Sequence, residues 1–450
     1  MINKKLGFMV LSLTAMGLAA CGGGTPAQSS RPTGLSTPAA SSQPAATSSA
    51  AATSVAPAGP TYDLTDGESI TYWCPNTDTA FFEAKVTAFK AAHPEFKGDI
   101  TWLATVGEGE VKAELTKDPE EAADVFEIAD DNIKDCVEAQ AIYLYNNEEI
   151  AYMKELYGEG ALAATTVKGK VYGIPYRNDN GYCLAYDKSV VSDEQAQTME
   201  GIIAACKAAN CLFNYDLTDG WYSFSPVWAA GGNTYTDEEG VFHADIATDG
   251  VAKAIAGLQQ IKINAGGTWN FGKDDSGFGG EGSSRVGALI LHNNENAWKA
   301  KLGDNLGIAK LPTYTVDGQA YQLKTFQGYK ALGIRRAEAL TQGKRLTAKA
   351  FTMFMGSDAV AEDRLVQLNQ GVSNKAVAAK TELWKSKFVS ALASMGAAGY
   401  TVAQASGSSG SFWDPAAAIG TQIKNGTLDT PAKALAALQK AKNAIENPVA

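Results

Sequence analysis

Two stretches set aromatic rings beside short polar side chains. TDGWYSFSPVW (218–228) carries Trp221 and Tyr222 directly after Asp219 and Gly220, in a loop that enters a helix. SGSFWDPAAAIG (409–420) carries Phe412, Trp413 and Asp414 before a helix that Pro415 can begin. A third stretch, LILHNNENAW (289–298), ends an apolar strand on His292, Asn293, Asn294 and Glu295, four polar residues that suit the wall of a cleft. Flat rings stack on flat apolar faces, and planar amides and carboxylates take paired hydrogen-bond donors. That is chemistry for holding an uncharged ring rich in hydroxyl groups.

Other polar loops join these. Asn76 and Asp78 follow the first strand, although Asp78 or Thr79 serves equally as a helix cap. Asp130, Asp131 and Asn132 follow the third strand and also fit an N-cap. Arg177, Asn178 and Asp179 interrupt an apolar stretch after Pro175, where they need partners or water. They fit a ligand site or a structural hinge network.

Bond-breaking chemistry finds little support. The acid pairs Asp130-Asp131 and Glu120-Glu121 are sequence neighbours and cannot face each other across a glycosidic bond. GFGGEG (277–282) precedes a strand and lacks the following Lys-Ser/Thr of a phosphate loop. No nucleophile elbow occurs in an esterase context. His93, His243 and His292 are too far apart for zinc spacing, so neither metal nor cofactor is expected.

The elements that must position these loops alternate. SITYW, DITWL and ADVFEIA read as strands, with a helix from Thr79 to a stop at Pro94 and another carrying Val111 and Leu115. Strand and helix in alternation predict a parallel sheet covered by helices. VKGKVYGIPY (167–176) predicts a hairpin turning at Lys168-Gly169, and NTYTDEEGVFHAD (233–245) another with Glu239-Gly240 at its tip. GYCLAYD and CLFNY are strands around a helix capped by Ser192 and running to about Ala208. Helices follow over 248–263, 345–356, 359–368, 377–396 and 430–446. Phe224, Trp228 and Trp298 read as core.

The front of the chain is of another kind. Lys4 and Lys5 precede a 15-residue apolar run (6–20), too short for a span of ~20 residues and right for a secretory signal peptide. Leu18-Ala19-Ala20-Cys21 resembles the bacterial lipobox, which implies lipidation of Cys21. In residues 22–60 only Gln28, Arg31, Leu35, Gln43 and Val55 are not Gly, Ala, Ser, Thr or Pro, which predicts a disordered tether. The remaining 390 residues exceed what one core usually serves, so two lobes are expected. The net charge of −11 argues against nucleic acid or anionic lipid as partner. Cys74, Cys136, Cys183, Cys206 and Cys211 are odd in number; Cys206 and Cys211 flank KAAN and suit either a local disulfide or two buried thiols.

The joint order of ADVFEIADDNIKDCVEAQAIYLY, VKGKVYGIPYRNDNGYCLAYDKSVV, PVWAAGGNTYTDEEGVFHAD and GIAKLPTYTVDGQAYQLKTFQGYKALGI resembles the carbohydrate-binding, maltodextrin-type class of extracellular solute-binding proteins of ABC importers. Tyr172, Ile174, Pro175, Tyr186, Asp187 and Lys188 match its hairpin and following strand, and the resemblance spans roughly 66–446. It implies an α/β, periplasmic-binding-protein-like fold: two α/β lobes joined by crossing hinge strands near 176–182 and near 326–330, around Gly328. The expected first lobe is 61–178 with 330–375, and the second 179–329 with 376–450. Ligand would sit between them and be trapped by hinge closure.

The resemblance also implies ligand roles for Asn76, Asp78, Asp131, Asn132, Asp179, Trp221, Tyr222, Asn294, Glu295 and Trp413. Asn132 stands where the class usually has Arg, which weakens the case for maltose itself. The implied protein is no enzyme. It is a lipid-anchored monomer on the outer membrane face, bound there through the anchor only, that hands an oligosaccharide to permease subunits. An anchored carbohydrate-active enzyme, an adhesin or sensor, and a binder of a cationic solute such as a polyamine are the alternatives.

Overall fold

The computed structural model describes residues 59–447, apart from 75–77, 104–105, 107–109, 237–240, 283 and 405–408. Cys21, the leader, nearly all of the tether, Asn76 and the 239–240 hairpin tip lie outside the described residues. Among the described residues no helix is long and apolar enough to cross a membrane.

Two sheets organise the chain. In the first, Ile70–Trp73 lies between Ile100–Leu103 and Val125–Ala129 and runs parallel to both. Parallel neighbours need crossovers, which helices Thr79–Ala92 and Val111–Lys117 supply. Helix Thr79–Ala92 buries Phe81, Phe82, Val86 and Phe89, and Phe82 meets Tyr72 of the first strand edge-on at 5.2 Å. Val125–Ala129 is buried along almost its whole length, as its near-continuous apolar run predicts.

The second sheet runs in the order Trp269–Asn270, Leu212–Asn214, Val286–His292, Tyr182–Asp187, Leu306–Ala309. Its own core takes in helices Met199–Ala208, Asp249–Ala265, Ser409–Lys424 and Pro431–Glu446, and holds Phe224, Trp228 and Trp298. The architecture is thus two α/β lobes.

Two extended segments connect them. Strand Ile174–Asn180 pairs in the first sheet, and after Gly181 the chain continues as Tyr182–Asp187 in the second. Strand Thr325–Ile334 returns: Phe326 packs in the second core, whereas Ala331, Leu332 and Ile334 pack in the first. Glycine is required at Gly181, where the two segments touch backbone to backbone. A Cβ on Gly181 would lie 2.6 Å from the Phe326 carbonyl oxygen, and one on Gly328 would lie 2.5 Å from Gln404 Oε1.

Local structure departs from the expectations in three places. Ser192 caps only the short turn Gln195–Gln197, by accepting the Gln195 N–H, and Thr198 caps helix Met199–Ala208 by accepting the Gly201 N–H. Helix Ser409–Lys424 begins ahead of Pro415, which therefore sits inside it. The helix expected over 377–396 is broken into Lys375–Ala378 and Lys387–Ala397. The first hairpin turns as expected at Lys168-Gly169, both at positive φ (49° and 73°).

Candidate functional site: the cleft between the lobes

A cleft of about 540 Å³ opens where the carboxyl ends of both sheets face each other. Its first-lobe wall is Lys112, Asp131 and Asn132. Its floor is the connecting segments, with Arg177, Asp179, Asn180 and Lys330, together with Gln404. Its second-lobe wall is Asp219, Trp221, His292, Asn293 and Trp413.

Asp131 stands in the first turn of helix Asp130–Glu138, where the helix dipole favours negative charge. Asp130 beneath it is spent on the backbone: its Oδ1 accepts the Asp131 N–H and its Oδ2 the Tyr329 N–H of the returning strand, both at 3.0 Å. Burial, and then the Asp131 charge, push the Asp130 carboxyl well above the usual range. Burial also lifts Asp131, to about 6, against the opposing pull of Lys112.

A raised carboxyl keeps, in the folded chain, a proton that the unfolded chain has already released. Between about pH 4 and pH 6 the folded state therefore binds more protons, and stability falls as pH rises through that window. The melting temperature of the wild type should accordingly drop relative to Asp131→Asn between pH 4 and pH 7. Parallel curves across that range would count against the assignment.

Asp179 is gripped from three sides. Arg177 donates from Nε to Oδ1 (3.1 Å) and from Nη2 to Oδ2 (3.3 Å), and the Gly371 N–H donates to Oδ2 (2.9 Å). Arg177 Nη1 also reaches Glu127 Oε1 at 3.3 Å, which explains a charged side chain inside the Val125–Ala129 strand. Ligand-facing polarity and a structural network coincide here.

On the opposite wall, Asp219 caps a short helical turn by accepting the Trp221 N–H at 2.9 Å. The Trp221 ring lies nearly parallel to Phe326 (16°, 6.4 Å), and Trp413 meets the same Phe326 edge-on at 5.5 Å. Both indoles are half-buried. A Cβ at Gly220 would fall 2.4 Å from the Trp413 carbonyl oxygen, so only glycine lets the two aromatic segments approach this closely.

Of the residues expected from sequence, Asp131, Asn132, Asp179, Trp221 and Trp413 come together in this cleft. Four others lie outside its lining. Asp78 is buried and accepts from Gln370 Nε2 at 2.9 Å. Tyr222 is buried against Tyr182 (4.8 Å), with its hydroxyl 3.5 Å from His292 Nδ1, so it backs the wall. Asn294 donates to Asp275 Oδ2 at 2.7 Å. Glu295 faces inward: its carboxylate accepts from Ser386 Oγ and from the N–H groups of Lys387 and Phe388, closing the start of helix Lys387–Ala397.

Sequence reasoning missed Lys112, Lys330 and Gln404. A lysine inside the apolar run GYKALGI was a readable signal for Lys330, because a charge in a buried strand needs a reason. Nothing local marks Lys112 or Gln404. Among the described residues no group of His, Cys, Asp and Glu could hold a metal ion.

The sequence profile of the bacterial extracellular solute-binding proteins matches residues 84–391. The chain belongs to that family. Solved structures similar to this solute-binding protein include a maltodextrin binding protein, MalE1 from L. casei BL23, without ligand. It is 20% identical, with a TM-score of 0.71 over 85% of this chain and 99% of the other. A structure solved with acarbose is 25% identical (TM-score 0.72, covering 85% and 99%). The maltotriose binding protein of Thermus thermophilus, bound with maltotriose, is 16% identical (TM-score 0.65, covering 85% and 100%). No curated protein matches the solute-binding chain by sequence. Its two lobes and connecting strands are those of this fold.

Proposed function

We propose that this solute-binding protein is the capture subunit of an ABC importer and closes its lobes on a neutral oligosaccharide. The observation that carries the reading is the composition of the cleft. Two indoles backed by one phenyl ring stand on one wall, and the charged lining balances. Asp131, Asp179 and Asp219 oppose Lys112, Arg177 and Lys330. A polyamine site calls for excess carboxylate and a phosphate site for excess cation. Stacking plates among paired polar groups suit a sugar. The maltodextrin, maltotriose and acarbose named for the similar structures point to a gluco-oligosaccharide.

Calorimetry against maltotriose, xylo-oligosaccharides and spermidine tests this. Maltotriose should bind with no product in the recovered ligand. Binding of spermidine alone, or release of glucose, would overturn the reading.

Cys21 carries the lipid, residues 22–60 form the tether, and permease subunits receive the sugar from the closed lobes. Intact-mass spectrometry of the detergent-extracted protein should find acyl mass on Cys21 at the mature N-terminus, and an unmodified Cys21 would exclude the anchor.

A further inference from the structure

All five described cysteines are buried and free. Cys74, Cys136 and Cys183 each sit without a cysteine partner in the cores, whereas Cys206 and Cys211 meet. Their meeting follows from the way helix Met199–Ala208 ends. Asn210 adopts the left-handed conformation (φ 50°), the Cys211 N–H donates to the Cys206 carbonyl at 2.9 Å, and the Asn210 N–H donates to the Lys207 carbonyl at 3.2 Å. These two bonds define a Schellman stop, in which the side chains flanking the turn are brought into contact. That contact is ordinarily apolar. Here both members are thiols.

The neighbouring strand makes room for the sulfurs. A Cβ at Gly287, in strand Val286–His292, would meet Cys211 Sγ at 2.7 Å and Cys206 Sγ at 3.2 Å. Both sulfurs therefore crowd one point above the Gly287 Cα. With the two sulfurs this close, one proton favours Cys206 and the other thiol, Cys211, is held below its ordinary value. The Arg285 guanidinium and the Gly287 N–H further favour thiolate at Cys211.

We propose that Cys206 and Cys211 form a disulfide in the exported protein, a covalent staple across the helix stop at the foot of the cleft-bearing strand Val286–His292. The proposal rests on the extracellular location of the family, not on the identity of the sugar. The oxidant is a disulfide, either of a thiol oxidase or of oxidised glutathione. The Cys211 thiolate attacks one donor sulfur and the other leaves as thiolate. Cys206, losing its proton, then attacks the Cys211 sulfur and expels the second donor thiolate. Two electrons pass to the donor, and the released thiolates take up protons. Because both sulfurs are buried in the folded chain, the exchange belongs to folding after export.

Trypsin cleaves after Lys188, Lys207 and Lys253, so the bond would link peptides 189–207 and 208–253. Full-length protein from the envelope of the producing cell is denatured with N-ethylmaleimide, digested and weighed. The linked pair is expected, and it should separate on reduction. Recovery of the two peptides unlinked, each carrying maleimide on its cysteine, would overturn the proposal, as would a link to Cys183.

Protein retained in the cytoplasm separates the proposal from the question of export. It should be unlinked at lysis and linked after unfolding and refolding with oxidised glutathione, and failure to link then also overturns it. Reductant should lower the melting temperature of the linked protein by about 5 °C and leave Cys206→Ala/Cys211→Ala unmoved. Equal melting of the two with and without reductant would remove the staple from the account.

Discussion

Trp413→Ala is expected to weaken oligosaccharide binding at least 30-fold, roughly the 2 kcal/mol or more that buried Trp anchors carry at binding sites. The ring is half-exposed to the cleft and held from behind by Phe326 at 5.5 Å and Phe412 at 4.9 Å. It therefore meets a ligand with its orientation already fixed, and little ordering entropy is lost on binding. Trp221 shares the Phe326 support, so the two indoles form one unit belonging to the second lobe. Trp221→Ala/Trp413→Ala should consequently abolish binding measurable by calorimetry, whereas Trp413→Phe should keep most of it. Melting curves of each variant separate loss of the plate from loss of the fold. An unchanged Kd in a folded Trp413→Ala protein would mean that this wall is not where sugar lies.

The second large effect is expected at Arg177. Its guanidinium holds Asp179 through two bonds and reaches Glu127, and all three side chains are buried. Arg177→Met removes the cation on which two buried carboxylates lean. Breaking a buried pair in this way costs about 3–5 kcal/mol, because the charge left behind cannot be resolvated. A denaturant midpoint series should show that loss. It should also show partial recovery when Glu127→Gln and Asp179→Asn are added, since no unpaired charge then remains. A loss below about 1 kcal/mol would imply that water or another cation replaces the guanidinium. As the network spans the floor of the cleft and takes in the Gly371 N–H, ligand affinity should fall with stability.

The two-lobe plan was legible because its signals are local. Apolar runs with strand or helix period declare their elements wherever they pack, and VFEIA and VGALIL are buried as their composition requires. The connecting segments were not legible in local pattern: the resemblance alone placed them near 176–182 and 326–330, and the chain crosses there through Gly181 and along Thr325–Ile334. Misplacements arose where two local rules competed. Thr198 won the helix cap over Ser192, and helix Ser409–Lys424 ran through its first turns ahead of Pro415.

By itself the sequence determined which loops hold aromatic rings and hydrogen-bonding groups, because those loops follow strands whose ends are set by local pattern. Only the tertiary structure decided which of those groups face the cleft. Asn294 and Glu295 looked like neighbours of His292 and Asn293, yet Asp275 and the start of helix Lys387–Ala397 claim them. Lys112, Lys330 and Gln404 enter the same lining from three distant points of the chain. A polar side chain goes to whichever partner its fold brings within hydrogen-bond reach, and such partners, separated by tens to hundreds of residues, leave no trace in local spacing.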